Sequence, residues 1–279
     1  MRLTRVLKAD LSAGLRECWK RVLVVALLAC ALIPFWLMET KARGYSDADI
    51  PHTLASTLCA NFGGMKVFHP GEGERFRMPV AWLLSSLAIF YCTVTYPYRD
   101  LMGFGRNVLI SSQSRWTWWL SKCLWVSAVM LACTLAVLVM DVLATLFLNG
   151  TLSLGIDQVA AATHSFLTDQ NASQDLTPFF LALPCMYVAL GLMQLALSLV
   201  LRPTLSFGTT ALILIISAYY TSPWLPGNYL MAARSSSVIN EGVSPLVGLG
   251  LAVFIATAAV VLGGIRLARM DYIDKEFSQ

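Results

Sequence analysis

The sequence predicts an all-α membrane protein with six transmembrane helices. Of its 279 residues, 57% are apolar and 13% are charged, and the mean hydropathy is +0.66. A soluble domain carries roughly 45–50% apolar and about 25% charged residues, so this chain has too little charge to cover a soluble globule of its size. The composition argues against a soluble enzyme and favours one integral membrane domain over residues 1–279.

Six apolar stretches are candidates for membrane-spanning helices. A helix needs about 20 mostly apolar residues to cross a bilayer. The fifth stretch is the least secure, because it is short and carries Thr209 and Thr210, so five spans is the fallback count. The predicted spans are residues 22–38, 79–97, 123–147, 179–201, 205–220 and 246–265.

The charges of the connecting segments predict the orientation of these spans. Lys and Arg concentrate in the cytoplasmic loops of membrane proteins. With the N-terminus inside, the internal segments hold 14 basic and 6 acidic residues, and the external segments hold 6 basic and 9 acidic residues. The external loop 148–178 has no basic residue. We therefore expect a multi-pass protein of the cytoplasmic membrane with both termini in the cytoplasm.

An amphipathic helix is predicted over residues 1–21, ahead of the first span. Its apolar residues recur at steps of three and four, and basic residues fill the rest of the helical wheel. This pattern is typical of a helix in the membrane interface, with its apolar face in lipid and its basic face toward the headgroups. The apolar positions are Leu3, Val6, Leu7, Leu11, Leu15, Cys18 and Trp19.

The segment between the second and third spans is longer than the connection requires. Asp100 is predicted to be the N-cap of a short helix over residues 100–110. Gly103 and Gly105 each lower helix stability by about 1 kcal/mol relative to Ala, so a helix kept there gains from packing against something. Two interpretations stay open, a partner-binding helix and an ordinary interfacial loop.

At this segment the chain resembles the membrane subunits of ABC-type exporters, the ABC type-2 permeases. The stretch RDLMGFGRNVLISSQSRWTWWLSK is similar to that family's run of Asp, Gly-x-Gly, an apolar patch, Ser/Arg and Trp–Lys before the third span. The stretch WLPGNYLMAARSS resembles the family's final external region. The resemblance extends over essentially the whole chain.

The resemblance implies a cytoplasmic coupling helix, an ATPase partner and an exported substrate. The helix after the second span would dock into ABC ATPase subunits, and the segment 1–21 would be the family's connecting helix. A second copy of the permease or a homologous permease and membrane lipid are the other expected partners, with no nucleic acid. The substrate would be a hydrophobic or amphipathic peptide, antibiotic or lipid. The residues that the resemblance assigns to the coupling contact are Arg99, Asp100, Leu101, Phe104, Arg106 and Arg115.

No catalytic motif or resident cofactor is predicted in this chain. It contains no GxxxxGK[ST] phosphate loop, so the resemblance assigns ATP and Mg²⁺ to the partner ATPase. His52, His69 and His164 are scattered through the predicted external loops, and HExxH is absent, so we expect no metal site. The seven cysteines include no CxxC pair, so we expect no disulfide framework either.

Two polar residues within the predicted spans are candidates for a translocation path. Asp141 is the only acid inside a span. It would be a substrate or proton group that faces the bundle interior, or an acid near the outer interface that bonds a neighbouring helix. Gln194 interrupts the fourth span, where packing between helices is the competing interpretation.

Two other functions remain as alternatives to an exporter. A non-transporting membrane partner of an ATPase, such as a sensor or a resistance or assembly factor, could carry the same cytoplasmic loop. An ion-driven secondary transporter would have intramembrane charge pairs or broken helices at matching positions of two halves, and this chain offers one peripheral Asp.

Overall fold

The fold is a bundle of α-helices in a computed structural model that describes residues 3–42, 44, 52–68, 76–102, 115–156 and 175–270. These residues contain isolated β-bridges but no strand, so the all-α prediction is confirmed for them. Two 3₁₀ helices, Pro226–Leu230 and Ala232–Arg234, lie in one connection. The α-helices of the described residues are α1 (Leu3–Ala42), α2 (Leu54–Phe62), α3 (Val80–Tyr91), α4 (Tyr96–Met102), α5 (Arg115–Phe147), α6 (Thr177–Leu197), α7 (Pro203–Tyr219) and α8 (Pro245–Ala268).

Four of these helices are long and apolar enough to cross a bilayer. They are the part of α1 from Arg16 to Ala42, and the whole of α5, α6 and α8. The second and fifth predicted spans coincide with α3 and α7, which are apolar but only 12 and 17 residues long. Because a membrane-spanning helix needs about 20 residues, the described residues provide four candidate spans and two shorter apolar helices.

The second predicted span is interrupted before its C-terminal end. α3 ends at Tyr91, and the chain turns before α4 begins. Gln194 of α6 donates through Nε2 to the carbonyl of Phe90 at 3.2 Å and to Oγ1 of Thr93 at 3.4 Å. It thereby adds an interhelical bond to a carbonyl at the helix end, which also accepts from the amide and the hydroxyl of Thr93. Pro97 in the first turn of α4 suits a new helix start, because no hydrogen bond is lost there.

The helix after the second span begins earlier than the sequence predicts. α4 starts at Tyr96, so Asp100 is its fifth residue and not an N-cap. The N-cap prediction is wrong because Pro97 already occupies the first turn, and because the Asp100 carboxylate pairs with Lys122 instead. The part of the predicted coupling helix beyond Met102, residues 103–110, lies outside the described residues.

α1 is one continuous helix that packs along α5. The predicted interfacial segment 1–21 and the first span 22–38 join within it without a break. A Cβ atom on Gly14 would lie 2.1 Å from Nε1 of Trp125, so glycine permits the close approach of the two helices. The buried residues of α1 from Asp10 to Thr40 are spaced mostly by three, four or seven positions, as on one face of a helix. The N-terminal part of α1 therefore extends the buried face of the first span.

A different set of segments meets at each of the two ends of the bundle. At the end that we call the α4 end, the N-terminal part of α1, α4 and the start of α5 meet the C-terminus of α8. Lys122 of α5 contacts Asp10 of α1 at 2.6 Å, and Arg115 donates to the carbonyl of Ala268 at 2.6 Å. The opposite end, the α2 end, holds α2, residues 63–68 and the 3₁₀ helices.

A short buried helix enters the bundle from the α2 end. The hydroxyl groups of Thr57 and Thr145 are 2.7 Å apart, and Asn61 donates to Asp141 at 2.7 Å. α2 therefore runs antiparallel to the last turns of α5. The sequence predicts this segment as part of an external loop, but all of its side chains from Ala55 onward are buried. Such a dip into the bundle is tolerated where protein covers it.

Candidate functional site

The candidate site at the α4 end is built around Lys122. This side chain has no exposed surface, and its Nζ lies 2.6 Å from Oδ1 of Asp10 and 2.8 Å from Oδ2 of Asp100. The two carboxylates belong to α1 and α4, so one ammonium group on α5 joins three helices. A buried lysine charge needs such partners, because its desolvation costs several kcal/mol, roughly, when no carboxylate compensates it.

Further hydrogen bonds fix the two carboxylates beside Lys122. Ser121 donates through Oγ to Oδ2 of Asp10 at 2.6 Å. Trp118 donates through Nε1 to Oδ2 of Asp100 at 3.2 Å, and its ring centroid lies 5.3 Å from the Lys122 Nζ. Charge-assisted bonds and a cation–π contact both strengthen an ion pair that is withdrawn from water. We call Asp10, Asp100, Trp118, Ser121 and Lys122 the Lys122 cluster.

Arg99 is on the accessible side of α4. Its side chain is 70% exposed, and Nη1 contacts Oε1 of Glu17 at 2.9 Å. An exposed ion pair of this kind contributes about 0–1 kcal/mol. Little free energy is therefore lost when Arg99 exchanges Glu17 for a carboxylate on another protein.

Arg115 closes the C-terminal end of α8. Its Nη1 donates to the carbonyl of Ala268 at 2.6 Å and to that of Met270 at 3.1 Å. A basic side chain at this position satisfies carbonyls that a helix end leaves unpaired. Arg115 therefore links the start of α5 to the end of α8 at the same end of the bundle as α4.

The structure describes part of the coupling site that the sequence nominates. Asp100 faces Lys122, Arg99 faces outward, and Arg115 lies against α8. The side chain of Leu101 and the whole of Phe104 and Arg106 lie outside the described residues. Sequence reasoning missed the cluster itself, although Lys122 at the start of a predicted span and Asp10 in a basic segment are the signals that could have indicated it.

Asp141 lies in a second polar site, near the α2 end. Its side chain is fully buried, Oδ1 accepts from Nδ2 of Asn61 at 2.7 Å, and Oδ2 has no hydrogen-bond partner among the residues that the structure describes. Ser85 of α3 donates to the Asn61 carboxamide oxygen at 3.4 Å. The structure thus shows Asp141 bonded to a neighbouring helix.

Asp141 and Gln194 lie toward opposite ends of the bundle. Asp141 is in the last turns of α5, at the α2 end, whereas Gln194 is in the last turn of α6, at the α4 end. Besides the side-chain bonds to the end of α3, the main-chain carbonyl of Gln194 accepts from the Ser206 hydroxyl of α7 at 2.5 Å. It therefore joins three helices, and the structure does not bring it together with Asp141.

Arg234 organises the α2 end and was not singled out from the sequence. Its side chain is fully buried, and all its described partners are carbonyl or carboxamide oxygens. Burial lowers the pKa of Arg234 to about 10, so the guanidinium is still charged at neutral pH. Its partners are the carbonyls of Met65, Lys66, Ser217, Ala218 and Tyr220 and Oδ1 of Asn228.

Within the described ranges, no group of three or more His, Cys, Asp or Glu side chains is placed to hold a metal ion.

In comparisons with known proteins, the chain matches a family that has no assigned function. The sequence model of a family described as Protein of unknown function (DUF2705) matches residues 71–273, nearly three quarters of the chain. The matched region includes α3 to α8, and with them Lys122, Asp141 and Arg234. No curated protein and no solved structure matches the chain.

Proposed function

We propose that this chain, which belongs to the family Protein of unknown function (DUF2705), is the membrane-spanning permease subunit of an ATP-driven ABC exporter. Separate ATPase subunits bind ATP and Mg²⁺ and drive export of a hydrophobic or amphipathic peptide, antibiotic or lipid across the cytoplasmic membrane. The chain pairs with a second copy of itself or with a homologous permease. In the proposed orientation of the chain in the membrane, both termini and the α4 end face the cytoplasm.

The attachment of α4 to two long helices is the observation that carries this proposal. The described part of α4 is seven residues long, and a helical segment of that length depends on contacts with the rest of the protein for its stability. Lys122 holds it through Asp100 to α5 and, through Asp10, to α1. Both α1 and α5 contain candidate membrane spans. A displacement imposed on α4 by an ATPase is thereby passed to two spans.

The distribution of exposed basic side chains supports a cytoplasmic α4 end. Basic residues near the ends of membrane helices favour the cytoplasmic side. In the proposed topology the internal segments hold 14 basic residues and the external segments hold 6, five of them in 39–78 and none in 148–178. The exposed basic side chains at the α4 end are Arg16, Lys20, Arg99, Arg202, Arg266 and Arg269.

Co-purification with an ATPase tests this function. The tagged chain is isolated from native membranes, and the readouts are an associated protein with a phosphate-loop motif and ATP hydrolysis that the chain stimulates. Arg99→Glu and Arg106→Glu reverse charge within the coupling segment and are expected to weaken ATPase association about tenfold or more, a loss of about 1.4 kcal/mol. Membrane insertion stays intact, because neither change introduces a charge into a span.

The matched control is Arg202→Glu, which reverses an exposed charge at the same end of the bundle but outside the coupling segment. It is expected to retain wild-type association. Unchanged association and unchanged stimulated hydrolysis in both coupling-segment variants would remove the site assignment. A purified chain that transports without any ATPase would contradict the function.

A further inference from the structure

A crevice at the α4 end holds the guanidinium group of Arg21. This residue of α1 is half-buried, and its Nη1 donates at 2.8 Å to Oγ1 of Thr95, in the turn between α3 and α4. The guanidinium carbon lies 5.4 Å from the centroid of the Tyr91 ring at the end of α3, which is a cation–π distance. A guanidinium group has five N–H donors in a rigid fork, so it can bond Thr95 and a phosphate group together.

The aromatic side chains around Arg21 mark a membrane boundary. The ring of Tyr91 is half-exposed and packs against Phe207 of α7, with the ring centroids 6.1 Å apart. On α1, Trp19 is half-exposed, and Nζ of Lys20 lies 5.9 Å from its ring centroid. Tyr and Trp at the ends of membrane helices lie at the level of the lipid headgroups, and long basic side chains extend toward those headgroups. The candidate span within α1 begins in the same stretch.

The charge at this end of the bundle is positive. The described side chains of the α4 end include nine basic residues and three acids. Each of these acids has a basic partner, because Asp10 and Asp100 contact Lys122 and Glu17 contacts Arg99. The excess of positive charge favours a negatively charged partner.

An anionic lipid fits the crevice better than an acidic protein surface does. Arg99 is open to a protein partner, with its side chain 70% exposed, whereas Arg21 is recessed between helices beside rings at the membrane boundary. Basic pockets between membrane helices bind anionic headgroups, and a lipid also supplies acyl chains that cover the rings. We propose that Arg21 binds the phosphate of an anionic phospholipid, such as phosphatidylglycerol, with its acyl chains against Tyr91 and Phe207.

A lipid bound in this crevice lies between α1 and the turn that separates α3 from α4. It stabilises this arrangement, because the crevice exists only when the helices are packed. The inference requires a lipid headgroup at the α4 end but no ATPase. It therefore stands independently of the proposed function.

The test is a titration of the purified chain in detergent, followed by native mass spectrometry. The probes are phosphatidylglycerol and phosphatidylcholine with identical acyl chains, which both contain a phosphate but differ in net charge. The wild type is expected to bind phosphatidylglycerol at least about fivefold more tightly than phosphatidylcholine. Arg21→Gln is expected to remove that preference by weakening the binding of phosphatidylglycerol alone.

Two matched variants separate this site from other effects of the same charge. Arg266→Gln removes an exposed arginine from the same end of the bundle, and Thr95→Val removes the hydroxyl that Arg21 bonds. Both are expected to keep the preference for phosphatidylglycerol. An equal loss in Arg266→Gln would indicate a diffuse basic surface, and an equal loss in Thr95→Val would indicate that Arg21 only braces the turn. Either result would overturn the inference.

Arg21→Lys keeps the test decisive if Arg21→Gln does not fold. Lysine retains the charge but lacks the fork of donors, so a weaker preference for phosphatidylglycerol is expected to remain. A wild type that binds the two lipids equally would contradict the proposal.

Discussion

At the scale of single residues, Lys122 determines how the α4 end is held together. Its ammonium group is buried between Asp10 and Asp100, and both carboxylates keep little exposure. Removing the lysine leaves two buried negative charges close together. Replacing Asp10, Asp100 and Lys122 together by neutral side chains leaves no buried charge there. The two changes therefore have different consequences, although both abolish the ion pairs.

Lys122→Met is expected to lower the free energy of unfolding by about 3–5 kcal/mol, because it leaves buried carboxylates without a countercharge. The triple variant Asp10→Asn, Asp100→Asn and Lys122→Met is expected to recover much of that loss. Both are measured by thermal unfolding in detergent. If Lys122→Met is as stable as the wild type, the cluster does not hold the helices together.

The sequence identified some of these residues but none of their partners. Lys122 and Asp10 are 112 positions apart, and Asn61 and Asp141 are 80 apart. No helical periodicity connects positions that distant. Asp141 was recognisable as an acid in an apolar stretch, whereas Arg234 stood in a polar connection where an exposed arginine is the ordinary expectation.

At the scale of helices, the contact between α1 and α5 depends on glycine at position 14. A Cβ there would meet the Trp125 indole at 2.1 Å, and Trp125 itself is fully buried. The tryptophan cannot move into solvent, so a larger side chain must push the helices apart. Because α1 connects the Lys122 cluster to its candidate span, this contact also bears on the proposed coupling.

Gly14→Leu is expected to destabilise the folded chain by about 1–3 kcal/mol through overpacking. The matched control is Gly250→Leu in α8, where an added Cβ meets no atom within 4 Å. Both variants gain the same intrinsic helix propensity, so their difference in Tm isolates the packing. Equal Tm values for the two variants would mean that α1 does not approach α5 as closely as the structure shows.

Helix positions followed from hydropathy where the helices are long. The third predicted span ends at Phe147, as α5 does, and the sixth lies within α8. The break after Tyr91 was not predicted, because the apolar run continues through it and the stabilising partner, Gln194, comes from another helix. α2 was missed because nine residues are too few to register as a span.

At the scale of the whole molecule, the two ends of the bundle are held by different chemistry. The α4 end is joined by the buried ion pairs of Lys122 and carries exposed basic side chains. At the α2 end, Arg234 bonds to carbonyl oxygens and Asp141 to an amide. Composition was enough to predict the all-α membrane class. It could not decide the number of spans, because α3 and α7 are apolar but short.

The central claim, that the α4 end faces the cytosol where an ATPase can reach it, is tested most directly by cysteine labelling in intact cells. Single cysteines are introduced by Arg99→Cys and Arg202→Cys at the α4 end and by Glu241→Cys at the α2 end. The background replaces the exposed Cys30 and Cys185 by Ser, and it serves as the unlabelled control. A membrane-impermeant maleimide is predicted to label position 241 in intact cells and positions 99 and 202 only after permeabilisation. Labelling of positions 99 and 202 in intact cells would contradict the account.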